Sequence, residues 1–121
     1  KYVLERIGNA KSGLMSSIIE EAKALNSEEI KDVLNVVVSK IEKGELKYFV
    51  IRDFYIHFES YRDKIANALA KSNNVIGPSE MAALRTMYQT DSKNLETAFV
   101  EMKSKGTMNQ KVLSDIKKKE A

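Results

Sequence analysis

Apolar residues recur at three- and four-residue spacing along most of the chain, which is the pattern of helices that bury one face. The clearest case is the segment 27–43, where these apolar positions share one face: Ile30, Val33, Leu34, Val37, Val38 and Ile41. Asn26 precedes it as an N-cap, and Glu29 is placed to complete a capping box. Gly44 follows as a stop signal. We therefore expect a helix over residues 27–43.

The same spacing, read along the whole chain, predicts an all-α fold. The expected helices span residues 3–25, 27–43, 45–72, 78–105 and 107–118. Local signals mark several ends: Pro78 suits a first helical position, Gly106 suits a stop, and Thr107 with Gln110 forms a capping-box pattern. The predicted fold is a single compact bundle of about five helices in one domain, residues 1–121, with a frayed lysine-rich end at 114–121.

Two segments leave alternatives open. Asp91 lies in the middle of the apolar face of the predicted helix 78–105, where an ionised side chain is costly. Either the helix breaks or kinks at residues 90–92 with Asp91 as a cap, or Asp91 is paired with a cation. Residues 47–51 have the composition of a strand, but no second strand is evident to pair with them. We therefore favour helix there.

The segment 48–61 holds six of the nine aromatic residues of the chain. At about 100° per residue, one face of a helix here gathers the expected core positions: Val50, Phe54, Phe58, Tyr61, Ile65, Ala68 and Leu69. Phe49 and Ile56 form a second apolar spot on another side, and Tyr48 and Tyr55 lie off the main stripe. These four residues are the predicted partner or oligomer surface. Neighbouring helices cover the spot if this helix is central, and it is an exposed patch if the helix is peripheral.

Charge is unevenly distributed, although the net value is only +3. Residues 1–60 carry nine Lys and Arg against ten Asp and Glu, whereas residues 61–121 carry eleven against seven. The basic residues near the C-terminus are candidate nucleic-acid contacts: Lys103, Lys105, Lys111, Lys117, Lys118 and Lys119. More distant basic residues could join them: Arg6, Lys11 and Arg85. A solvated basic tail is the plainer interpretation, because the excess is small and built on Lys.

Catalytic and metal signatures are sparse. His57 is the sole histidine, with Asp53 one helical turn before it, so this pair could orient an imidazole for base chemistry or for a metal. The chain has no cysteine and no second histidine to complete a ligand set. A structural histidine at the edge of the apolar face is the simpler interpretation. We predict no catalytic residue, no metal site, no cofactor and no small-molecule substrate.

The expected function is a non-enzymatic helical module for protein–protein interaction or oligomerisation within a larger assembly. Five methionines suit adaptable contacts. The alternative is a nucleic-acid-binding accessory domain that uses the basic C-terminal region. We expect no membrane span, because no apolar run approaches the length that one requires, and we favour a soluble intracellular protein. The chain begins at Lys1 rather than Met, so flanking residues could contribute to function.

Overall fold

The computed structural model describes residues 15–118, and all regular secondary structure within that range is helical. The helices are α1 Met15–Lys23, α2 Ser27–Glu42, α3 Tyr48–His57, α4 Arg62–Lys71, α5 Pro78–Thr90, α6 Lys93–Lys105 and α7 Gln110–Lys117, with a 3-10 turn at Glu59–Tyr61. The all-α prediction is confirmed, and seven helices in this range replace the expected five. The first part of the predicted helix 3–25 and residues 119–121 lie outside the described residues.

Most helix ends follow local sequence signals. Asn26 caps α2, because its Oδ1 accepts the Glu29 N–H at 2.9 Å while Glu29 Oε1 accepts the Asn26 N–H at 3.4 Å. Gly44 and Gly106 follow α2 and α6 with φ values of 71° and 85°, in the left-handed region that glycine adopts without strain. Helix rather than strand is confirmed at the start of α3, from Tyr48 onward.

The predicted start of the last helix is wrong. Thr107 is buried, and its hydroxyl donates back to Met102 O at 3.1 Å instead of capping a following helix. The cap is Asn109, whose side chain accepts the Val112 N–H at 2.8 Å. The helix therefore begins at Gln110 and continues to Lys117, so part of the segment predicted to fray is helical.

The predicted helices 45–72 and 78–105 are each a pair of shorter helices in which the chain doubles back. Asn74, after α4, donates its Nδ2–H to Gly44 O, before α3, at 3.2 Å. A straight helix over 45–72 would separate its ends by about 40 Å at ~1.5 Å per residue. Likewise the Ile76 N–H, before α5, donates to Thr107 O, after α6, at 2.8 Å.

One arginine contacts both breaks. Arg62 donates from Nε to Tyr55 O at 2.8 Å and from Nη2 to Ile56 O at 3.0 Å, so it satisfies carbonyls that end α3. Its Nη1 lies 3.4 Å from Asp91 Oδ2, and the Tyr55 hydroxyl donates to Asp91 O at 2.6 Å. Both alternatives for Asp91 therefore hold: it ends α5 and it is paired with a cation. Neither break, at residues 58–61 or 90–92, contains Gly or Pro.

Each helix of the first pair packs against a helix of the second pair. α3 packs against α1 and α5, α4 packs against α2 and α6, and α7 packs against α5. Phe58, predicted to be core, lies at the first break and is only partly buried, stacked on Phe54 at 5.6 Å between ring centroids. Tyr55 at the end of α3 reaches Asp91 at the end of α5, so the two helices run in the same direction. Their first turns consequently lie together at the opposite end.

Candidate functional site

A groove of about 480 Å³ lies where α3 and α5 begin. We call it the Phe49 groove. Its lining includes Tyr48, Phe49 and Arg52 from α3, Val75 from the preceding loop, and Glu80 and Ala83 from α5. Its lining combines apolar side chains with polar and charged ones in similar proportion.

Hydrogen bonds fix the loop that carries Val75 on both sides of this residue. Asn74 is bonded to Gly44 O through its side chain and to Ser72 Oγ, at 3.2 Å, through its N–H. Ile76 is 4% exposed, and its N–H is bonded to Thr107 O. Val75 between them is 73% exposed. An apolar side chain is thus held outward at the rim of the groove by a fixed backbone.

One carboxylate lines the groove, that of Glu80, and both of its oxygens already accept hydrogen bonds from within the chain. Glu80 Oε1 accepts the Gly77 N–H at 2.7 Å, and its Oε2 accepts the Ser79 hydroxyl at 2.6 Å. The hydrogen bond from Ser79 lowers the pKa of Glu80 most; burial opposes it, and the backbone hydrogen bond from Gly77 lowers the pKa further. Glu80 is therefore ionised at neutral pH, and it caps the N-terminus of α5.

Tyr48 lies beside Glu80 and is 8% exposed. Burial, followed by the negative charge of Glu80, raises the pKa of Tyr48 to about 12. Its hydroxyl is therefore neutral at physiological pH and able to donate a hydrogen bond.

The four residues of the predicted partner surface do not lie together. Phe49 packs partly against the core and lines the groove, and Tyr48 lies beneath it. Ile56 is partly buried near the other end of α3, at the break that Arg62 stabilises. Tyr55 is fully buried, contrary to the prediction, because it faces the core and its hydroxyl is bonded to Asp91 O. The structure thus divides the predicted surface between the groove and the break.

Three of the lysines predicted to contact nucleic acid also make contacts within the fold. Lys105 donates to the carbonyl oxygens of residues 70–72, at the end of α4, over distances of 2.9, 3.1 and 3.1 Å. Lys103 donates to the side chain of the residue that begins α7, and Lys117 lies 3.1 Å from Glu96 Oε1. These lysines have structural partners that account for their positions.

The other basic residues predicted to contact nucleic acid differ in their surroundings. Lys111 and Lys118 are exposed on or just after α7, and Lys119 lies outside the described residues, as do Arg6 and Lys11. Arg85 donates from Nε and Nη2 to Asp115 O at 3.2 and 3.0 Å, which ties α5 to α7.

The Asp53 and His57 pair is not formed. Asp53 Oδ1 accepts a hydrogen bond from Arg52 Nε at 3.0 Å. His57 is the exposed last residue of α3, and its Nδ1 lies 3.3 Å from Lys23 Nζ. Over residues 15–118, the structure contains no group of three or more acidic, histidine or cysteine side chains that could hold a metal ion.

Sequence reasoning missed several residues that matter here. Asp91 on an apolar face indicated a cation, but nothing local identified Arg62, which is 29 residues away. Val75 precedes a Gly-Pro turn next to Ile76, and the order of the two residues does not say which one is buried. The role of Glu80 could have been inferred from its place three residues after Gly77, at the start of a helix marked by Pro78.

Comparison of the chain with protein-family models, with curated proteins and with solved structures finds no match. Within the part of the chain that the structure describes, no helix has both the length and the apolar character needed to cross a membrane.

Proposed function

We propose that this protein is a non-enzymatic interaction module that binds another polypeptide in the Phe49 groove. The observation that carries the proposal is a groove of mixed polarity beside an apolar side chain, Val75, that a hydrogen-bonded loop holds 73% exposed. A fixed backbone lowers the entropy lost on binding, because the loop does not have to be ordered by the partner.

The position of the exposed apolar side chains supports this site. Among residues 15–118, the large hydrophobic side chains that are exposed are Val75 and Val100. Val100 lies on α6 and does not line the groove. Val75 borders it together with Phe49, and an apolar surface next to a concavity is characteristic of interaction sites.

The nucleic-acid alternative has less support from the described residues. Lys103, Lys105 and Lys117 each have a partner within the fold, and releasing them to phosphate would cost those contacts. Protein binding requires no such rearrangement at the groove.

The test combines light scattering with peptide selection on the whole chain. Light scattering over a wide concentration range, alone and with mixed short DNA and RNA at low salt, measures self-association and nucleic-acid binding. Selection from a library of random displayed peptides measures binding of other chains. We expect association with peptides or with a second copy that Val75→Asp abolishes.

Val100→Asp is the matched control, since it places the same charge at an equally exposed valine outside the groove. Phe49→Asp is less informative alone, because Phe49 also packs against the core and the variant could unfold. A chain that stays monomeric and yields no peptide whose binding depends on Val75 would contradict the proposal. Salt-sensitive binding of DNA or RNA that Lys111→Glu weakens would favour the alternative.

A further inference from the structure

The Tyr48 hydroxyl makes no hydrogen bond within residues 15–118, although the side chain is only 8% exposed. Tyrosines that are buried to this extent generally place the hydroxyl against a partner. The other buried tyrosine among the described residues does so, since the Tyr55 hydroxyl donates to Asp91 O at 2.6 Å. Tyr48 is different because it lines the Phe49 groove, where a ligand could supply the acceptor.

The neighbouring carboxylate of Glu80 accepts no hydrogen bond from the Tyr48 hydroxyl. Both oxygens of Glu80 accept hydrogen bonds from Gly77 and Ser79, and none comes from Tyr48. The phenol stays neutral at physiological pH, because burial and the Glu80 charge raise its pKa. Tyr48 therefore offers a donor to whatever enters the groove.

The charges at the start of α3 favour an anionic acceptor. Lys47 and Arg52 line the groove together with one carboxylate, that of Glu80, so cations outnumber acids in its lining, and the first turn of α3 has no acidic residue. Lys47 is the N-cap residue and provides no side-chain capping bond, so the positive end of the helix is not neutralised locally. Arg52 uses Nε for Asp53, which leaves its two terminal nitrogens to face a second carboxylate.

We propose that the Phe49 groove recognises a peptide segment in which a large apolar side chain stands next to an acidic residue. The apolar side chain packs between Phe49 and Val75. The carboxylate accepts a hydrogen bond from the Tyr48 hydroxyl and faces Lys47 and Arg52. This proposal rests on the proposed function and specifies the partner of the same site. A peptide fits better than a small molecule, because Val75 lines the groove and is still 73% exposed for contact with a longer chain.

The experiment starts from the displayed peptides whose binding Val75→Asp abolishes. Their sequences are compared with the starting library, and the tightest is synthesised in two forms, one with its Asp and Glu residues and one with Asn and Gln in their place. We expect acidic and large apolar residues to be enriched, and the amide form to bind at least about tenfold more weakly, since a charged hydrogen bond is lost.

Variants of the protein locate the effect. Tyr48→Phe keeps the ring and removes the hydroxyl, which has no partner to lose in the free protein, so the fold is retained. It should weaken binding of the acidic form about three- to tenfold. Lys47→Glu should weaken it further, whereas Lys111→Glu, at an exposed lysine of α7, should leave it unchanged.

The outcomes separate this proposal from the proposed function. Peptides that depend on Val75 but show no acidic enrichment, or that bind equally well in the amide form, would overturn the acidic partner and leave the interaction module standing. Unchanged affinity in Tyr48→Phe would also overturn it. Self-association through Val75 that the peptides do not inhibit would identify a second copy as the occupant instead. Absence of any Val75-dependent peptide or self-association would remove both proposals.

Discussion

At the break between α3 and α4, a single guanidinium donates to the carbonyl oxygens of Tyr55 and Ile56 and pairs with Asp91. The Arg62 side chain is 14% exposed and Asp91 is 23% exposed, so these contacts are largely shielded from water. Removing one partner from such a network leaves the others without their hydrogen bonds in a region that water reaches poorly. Arg62 therefore contributes more to stability than an arginine on the surface does.

Arg62→Met should lower the free energy of unfolding by about 2–4 kcal/mol, because two carbonyl oxygens lose their donor and the Asp91 carboxylate loses its cation and keeps the hydrogen bond from Asn94. Urea denaturation followed by circular dichroism measures the difference. Lys71→Met is the control, since the Lys71 side chain is 65% exposed and its Nζ lies 3.9 Å from Glu42 Oε2; it should change stability by less than about 0.5 kcal/mol. Equal effects of the two substitutions would show that Arg62 is not what stabilises the breaks.

Glu96 connects three helices at the surface. It accepts a hydrogen bond from Tyr88 on α5 and pairs with Lys117 on α7, and these two contacts lower the pKa of its carboxyl group. A carboxyl whose pKa is lower in the folded than in the unfolded state adds stability above its ordinary pKa. That contribution is lost as the pH falls through the folded pKa.

Glu96→Gln should therefore be less stable than the wild type at about pH 7, and the difference should shrink as the pH falls to about 3. Urea denaturation of both proteins across this range measures it. Glu101→Gln, at an exposed carboxyl of the same helix, should alter stability little at either pH. A difference between Glu96→Gln and wild type that stays constant with pH would contradict the assigned role.

At the scale of the helix, some helix ends are stabilised by capping residues nearby in the sequence and others by groups distant in the sequence. The capping of α2 is local, because Asn26 and Glu29 are three residues apart. The end of α4 depends on Lys105, which follows 33–35 residues after the carbonyl oxygens that it binds. Cations at a helix C-terminus are favoured by the helix dipole and by the carbonyls left without partners there.

Lys105→Met should lower the free energy of unfolding by about 1 kcal/mol, because the last carbonyls of α4 lose a charged donor. Lys111→Met, at an exposed lysine of α7, is the control and should have a smaller effect. Thermal or urea denaturation distinguishes them. If Lys105→Met is as harmless as Lys111→Met, the contact adds nothing to stability, and Lys105 again becomes a candidate for partner binding.

The pattern of apolar residues predicted helix α2 with both of its ends, but it merged α3 with α4 and α5 with α6. Periodicity shows which residues share a face, and that pattern continues across residues 58–61 and 90–92. Neither segment contains Gly or Pro to interrupt it. At the breaks, Arg62 and Tyr55 bind groups that belong to other helices or their ends.

At the scale of the whole molecule, buried residues from all seven described helices form one contiguous apolar cluster. Tyrosines lie in different parts of it, with Tyr48 and Tyr55 on α3 and Tyr88 on α5. The prediction of a single domain can be tested through this distribution, because a shared core makes unfolding of the parts cooperative.

Unfolding in urea should therefore be a single transition. Curves from tyrosine fluorescence and from far-ultraviolet circular dichroism should coincide, since one reports on the core and the other on the helices. Two separated transitions, or curves with different midpoints, would contradict a single cooperative domain.

The sequence by itself determined that this protein is helical, where α2 begins and ends, and that Phe49 lies on a different side of its helix from the main core face. These are local properties, set by spacing and capping within a few residues. Only the tertiary structure decided that the two long amphipathic segments double back, that Tyr55 is buried, and that Val75 and Tyr48 border one groove. Those outcomes depend on pairs such as Arg62 with Asp91 and Ile76 with Thr107, which meet only when the whole chain has folded.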